Sequence, residues 1–106
     1  MLPKIKRLSR RDLNICNLSG KILRFPNFWL KYLVNNLGFS RFAVVTSTKL
    51  SKSAVVRNQL RRRIYSSLSP QHLALSTDVI FFPQKSMLNL GKDEIKELLK
   101  NLDIKN

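Results

Sequence analysis

The sequence predicts an α/β (α+β) two-layer sandwich with elements in the order α-β-β-β-α-β-α. Three observations carry this. Apolar residues recur every four positions at Val56, Leu60, Ile64 and Leu68, and Ile95, Leu98, Leu99 and Leu102 share one face. Aromatic and β-branched runs occupy 28–34 and 41–47, with turn residues between them. A short apolar run at 78–83 separates the two periodic segments and ends on Pro83.

The first helix is expected over 9–19. Ser9 is a good N-cap, Asp12 stands three residues on in a box-like start, and Leu13, Cys16 and Ile15 fall on one side. Gly20 ends it. A short strand is expected at 21–24. The runs 28–34 and 41–47 read as an antiparallel hairpin, with the turn at Asn35-Asn36-Leu37-Gly38. Residues 53–68 form the second helix, whose stripe covers about 120° of arc and which stops at Ser69-Pro70. The strand at 78–83 and a last helix over 91–102 complete the chain.

The 106 residues fit a single domain, with residues 1–8 as a basic N-terminal arm. They include 20 Lys or Arg against 6 Asp or Glu, a net charge of +14. Two acids, Asp12 and Asp78, face 16 basic residues in positions 1–85, and positions 86–106 balance four against four. Positions 13–77 contain no carboxylate in 65 residues. A paired-carboxylate acid/base site or a carboxylate cage for magnesium has nothing to be built from there. The surface calls for a polyanionic partner.

Other classes are set aside by composition. One cysteine and one histidine leave neither a disulfide nor a Cys/His metal centre. No apolar run reaches the roughly 18–20 residues of a membrane span, and the first residues lack the pattern of a signal peptide, so a soluble, cytoplasmic protein is expected. His72 near Asp78 lacks any nucleophile-elbow motif and reads as a loop histidine, and Cys16 as a small core residue.

The informative segment is 49–63. On the predicted helix Arg57, Ala54, Arg61, Asn58 and Arg62 follow one another around the side opposite the apolar stripe. Arg57 and Arg61, one turn apart, are spaced to straddle phosphates with forked donors, and Asn58 beside Arg62 suits sugar hydroxyls or base edges. The helix start near Ser53, with Lys49 and Lys52, is a second place for an anion. The plainer reading of a charge run is a solvated face, but no nearby acid would neutralise this one.

Lys49-x4-Ala54-Val55-x-Arg57-Asn58-x2-Arg61-Arg62 resembles the signature of the bacterial ribonuclease P protein component. The likeness extends through Asp12-Leu13-x2-Cys16-x3-Gly20, Phe28-x-Leu30, Arg41-Phe42-Ala43-Val44-Val45-Thr46 and Asp78-Val79-Ile80. The resemblance implies a left-handed βαβ crossover at the arginine helix. It also implies a basic subunit that joins a large catalytic RNA and helps remove the 5′ leader from precursor tRNA. In that family the RNA performs the Mg2+-dependent hydrolysis, so no catalytic residue, dedicated metal site, membrane or obligate protein partner is expected for the protein.

Carried over by the resemblance, Lys49, Lys52, Arg57, Asn58, Arg61 and Arg62 face the RNA. Leu13, Asn17, Phe28 and Leu30 fall at or near a leader-binding cleft. Leu13 and Asn17 stand where aromatic residues are common, and Tyr65 stands where the signature often continues with arginine. A general RNA-binding or ribosomal protein is the alternative. A membrane-surface helix would need exposed apolar residues opposite its arginines, and a free-standing nuclease would need acids or histidines.

Overall fold

A computed structural model describes residues 7–68 and 76–100. The elements are α1 (Arg10–Ser19), β1 (Lys21–Arg24), β2 (Phe28–Val34), β3 (Arg41–Val44), α2 (Ala54–Ser67), β4 (Thr77–Pro83), a 3₁₀ segment (Lys85–Asn89) and α3 (Lys92–Lys100). Their order is the expected one. Pro70, His72, Leu102 and the first six residues of the basic arm lie outside the described residues.

Ser9 acts as the N-cap that the sequence suggests, and Ser53 caps α2 in the same way. The Ser9 hydroxyl accepts from the Asp12 backbone N–H, and the Ser53 hydroxyl accepts from that of Val56, satisfying donors that a first helical turn leaves open. Gly20 closes α1 for a different reason from the expected one. Its backbone is extended, at φ −73°, so the left-handed freedom of glycine is not used. A Cβ there would lie 2.5 Å from the Cys16 carbonyl oxygen and 3.0 Å from that of Tyr32, so closeness of approach requires the glycine.

The four strands form one sheet in the order β1-β2-β4-β3. β1 and β2 are an antiparallel hairpin pairing Lys21 with Tyr32 and Arg24 with Trp29. The expected hairpin of β2 with β3 does not form. β4 lies between them, antiparallel to β2 and parallel to β3. Two physical reasons account for this. β4 buries Val79, Ile80 and Phe81 in succession, covering both of its faces, which suits a central strand. The 35–40 connection is also committed to the start of β4, because Asn35 donates to Asp78 Oδ1 at 2.8 Å and its N–H bonds the Ser76 carbonyl at 3.1 Å. Asn36 (φ 58°) and Gly38 (φ 82°) turn the chain within that loop in the left-handed region.

The two sheet faces carry different layers. Phe28, Leu30, Phe42, Val44, Val79 and Phe81 form the main core with Leu60, Ile64 and Tyr65 of α2 and Ile95 and Leu99 of α3. Each such fully buried aliphatic side chain is worth about 1.5–3 kcal/mol. The predicted stripe of α2 is therefore its buried face. On the reverse side α1 seats Cys16 against Ala43 and Ile80, with Leu13, Leu33 and Phe82 packed around them, while Ile15 points to solvent. α1 covers only part of this face.

Candidate nucleic-acid interface

Burial of Leu60 and Ile64 turns the opposite side of α2 outward. Asn58 and Arg62 are exposed, and Arg57 and Arg61 are half-buried. The two half-buried arginines are set by neutral oxygens. Arg57 Nη1 donates to the Ser51 carbonyl at 2.8 Å, tying α2 to the loop before it. Arg61 Nη2 donates to Thr46 Oγ1 at 2.6 Å and its Nη1 to Asn58 Oδ1 at 3.2 Å. No carboxylate among the described residues compensates either charge; Asp12 and Asp78 both pair with Arg41 instead.

Asn58, Arg61 and Arg62 line a cleft of about 220 Å³ together with Tyr65 and Arg7. Arg7 reaches it because residues 7 and 8 add a short parallel bridge to the outer edge of β3, where the Leu8 N–H bonds the Phe42 carbonyl at 3.0 Å. Burial pushes the Tyr65 hydroxyl above its usual pKa, against the pull of the Arg7 charge, so it stays protonated.

Lys49 lies apart from that cleft, in a groove of about 570 Å³ at the end of the sheet, with Trp29, Val45, Ser47, Phe82 and Lys85. Lys52 is exposed in the loop before α2. Along the groove Trp29 and Phe82 stack at 4.0 Å with planes 7° apart. Arg24 and Lys31 flank them, with Lys31 Nζ 5.9 Å from the Trp29 ring and 6.0 Å from that of Phe82. Lys31 also donates to Asn17, at 3.0 Å to its carbonyl and 2.8 Å to Oδ1, closing the C-terminal end of α1.

The four residues carried over to the leader cleft do not share one face. Leu13 lies half-buried on the inner side of α1, and Asn17 is exposed and holds Lys31. Phe28 and Leu30 point the other way, into the α2 core at 1% and 0% exposure, so they present no side chain to a ligand. The alternate residues Trp29 and Lys31, with Phe82, carry the open face. Period-two alternation contains that signal, but not which parity faces α2.

The family model for ribonuclease P matches residues 2–105, nearly the whole chain. The chain belongs to the ribonuclease P protein family. It is similar to the ribonuclease P protein component of Synechococcus elongatus, 39% identical over 72 residues that cover 63% of this chain and 59% of that one. The corresponding protein of a Thermoanaerobacter species is 33% identical over 89 residues, 82% of this chain and 76% of the relative. The chain thus spans less than two thirds of the length of the first of these relatives. In fold it is similar to the ribonuclease P protein from Thermotoga maritima, with a TM-score of 0.74 and 23% identity across 92% of this chain and 97% of that one. The α+β architecture with its open four-stranded sheet is therefore that of ribonuclease P proteins.

Proposed function

We propose that the protein binds the RNA of ribonuclease P through the outer face of α2 and the 5′ leader of precursor tRNA along the Trp29–Phe82 groove. In that complex it promotes removal of the leader, in the cytoplasm. The observation that carries this reading is the arrangement of α2. Its buried stripe fixes the helix while Arg57, Asn58, Arg61 and Arg62 meet solvent with no carboxylate partner among the described residues. Phosphates supply the missing charge, and forked guanidinium donors suit them. The groove adds what a single strand needs, an aromatic stack beside Lys31, Lys49 and Lys85.

Magnesium in this proposal is held by the RNA. Both carboxylates near the basic surface, Asp12 and Asp78, are turned to Arg41, so the residues present do not fit a protein magnesium cage. The protein contributes positioning and charge neutralisation.

The deciding experiment adds the protein to a bacterial ribonuclease P RNA and a precursor tRNA at low magnesium. Cleavage at the mature 5′ end increases if the reading holds. Cleavage of RNA by the protein alone, or binding to ribosomal RNA with no gain in leader removal, overturns it. Arg57→Ala and Arg62→Ala each flatten the slope of log K against log salt by about 0.7–0.9 for every phosphate no longer neutralised.

A further inference from the structure

The groove that holds Trp29 and Phe82 ends against a second one. Asn27, in the turn between β1 and β2, forms the wall between them: its backbone carbonyl accepts from the Gln84 N–H at 3.0 Å and its Oδ1 from the Ser86 hydroxyl at 2.9 Å. Gln84 and Ser86 line the first groove, and Asn27 lines the second, of about 360 Å³, with Leu90, Glu94, Glu97 and Leu98. The sign of the charge reverses across this wall. Lys49 and Lys85 are the charged residues lining the first groove, whereas Glu94 and Glu97 are those of the second.

The α3 sequence sets this arrangement. Ile95 and Leu99 are wholly buried and fix the helix, so Glu94, Glu97 and the half-buried Leu98 take the flank toward Asn27, while Lys92, Lys96 and Lys100, four apart, follow another. Glu94 is also held in place, because its Oε1 accepts from the Gly91 N–H at 3.3 Å in the manner of a capping box. The described carboxylates outside α3, Asp12 and Asp78, pair with Arg41, which concentrates the anionic surface of the described residues on α3. A single strand of RNA is drawn to lysines and repelled wherever its phosphates approach carboxylates. A phosphate that crossed Asn27 would lie against Glu94 and Glu97, within the roughly 8 Å over which charges act at physiological ionic strength.

We infer that Glu94 and Glu97 end the path of the leader: they turn the strand out to solvent at Asn27 and Ser86, and so set how many leader nucleotides the protein engages. This rests on the reading of the Trp29–Phe82 groove as the leader's. The two glutamates act by repulsion, a specificity device that needs no attractive contact of its own.

Precursor tRNAs with a ladder of leader lengths, titrated into the holoenzyme, test the boundary. With the wild-type protein, affinity rises with leader length and then levels off. Glu94→Gln combined with Glu97→Gln keeps an acceptor for Gly91 and moves the levelling-off to longer leaders. It tightens long-leader binding about two- to fivefold and steepens the salt slope by about 0.7 for each further phosphate held. Mature tRNA and the shortest leaders bind as before, and Asp93→Asn, outside the groove lining, changes nothing. A uniform gain for every RNA, mature tRNA included, is a long-range charge effect and overturns the boundary, as does a double variant with the wild-type dependence on length. Trp29→Ala separates the two readings. If it shrinks the length dependence while the glutamate variants do not shift it, the boundary falls and the groove stands. If Trp29→Ala leaves the length dependence at its wild-type size, both fall.

Discussion

Arg41 on β3 grips both carboxylate oxygens of Asp78 on β4, Nε to Oδ1 at 2.9 Å and Nη2 to Oδ2 at 2.7 Å. Its remaining Nη1 reaches Asp12 Oδ2 on α1 at 2.8 Å, so one side chain joins two strands and a helix. The Asp78 side chain is only 7% exposed. Arg41→Met therefore strands a buried carboxylate that keeps the neutral Asn35 amide as a donor but loses its cation. The expected cost is about 3 kcal/mol, read from urea unfolding. Adding Asp78→Asn recovers part of it, because the stranded charge is removed; a double variant no more stable than the single one refutes the stranded-charge explanation.

Acid acts on the same junction through Asp12. The Ser9 hydroxyl, which donates to Asp12 Oδ2 at 2.8 Å, together with the Arg41 charge, holds this carboxyl below its ordinary value of 3.8. A depressed folded-state pKa contributes stability that is fully present above the unfolded value and is lost as pH falls through the folded one. The wild-type advantage over Asp12→Asn is thus constant near neutrality and shrinks below about pH 3.8. Unfolding midpoints across pH 2–6 for the two proteins would show curves that converge in acid; parallel curves would remove Asp12 from the acid response.

The only cysteine supplies a probe of how firmly α1 is docked. Burial pushes the Cys16 thiol up to about 11, and its Sγ lies 3.5 Å from the Asp78 carbonyl oxygen to which it donates. The thiolate is the reactive species, so alkylation of native protein at pH 8 is slow and limited by lifting of α1. Asp12→Asn speeds that labelling, whereas Lys96→Ala, on α3 across the sheet, leaves it unchanged. Rapid labelling of the wild type at neutral pH would mean that α1 is not seated on Ala43 and Ile80.

Trp29 is the only tryptophan in the chain, which makes the groove directly observable. Leader-bearing precursor quenches its fluorescence in the holoenzyme, and leaderless tRNA does not. Trp29→Ala weakens precursor binding by about 1–3 kcal/mol, the worth of one stacked base, and leaves mature tRNA nearly unaffected. Equal loss for both RNAs would place the leader elsewhere.

Local signals make the elements legible in the sequence. Ser9 and Ser53 mark true helix starts, and the four-residue spacing of Val56, Leu60 and Ile64 identifies the buried side of α2 and so its arginine side. Pairing is harder to read. The 35–38 turn residues look alike in a tight hairpin and in a wide loop, and only the unbroken apolar run Val79-Ile80-Phe81-Phe82 hints that β4 separates β2 from β3. Which strand side chains face outward is hard to read for a related reason. Phe28 and Leu30 alternate with Trp29 and Lys31, and the choice between the two sets depends on which face α2 covers, a tertiary fact. Arg7 has no local signal at all, since its place beside Tyr65 comes from a two-residue bridge to β3.

The position of β4 has a consequence for synthesis. Leu30 of β2 meets Phe81, and Ala43 of β3 meets Ile80, so the strands flanking the centre leave the ribosome well before the strand that joins them. Until then, apart from the β1–β2 hairpin, their inner edges are open to pairing with other chains. A nascent chain stalled before Thr77 holds two unjoined strand groups and a cationic helix with no sheet beneath it. Productive folding waits for the last strand, and crowding of unfinished chains is the stage at which this protein is most exposed to aggregation.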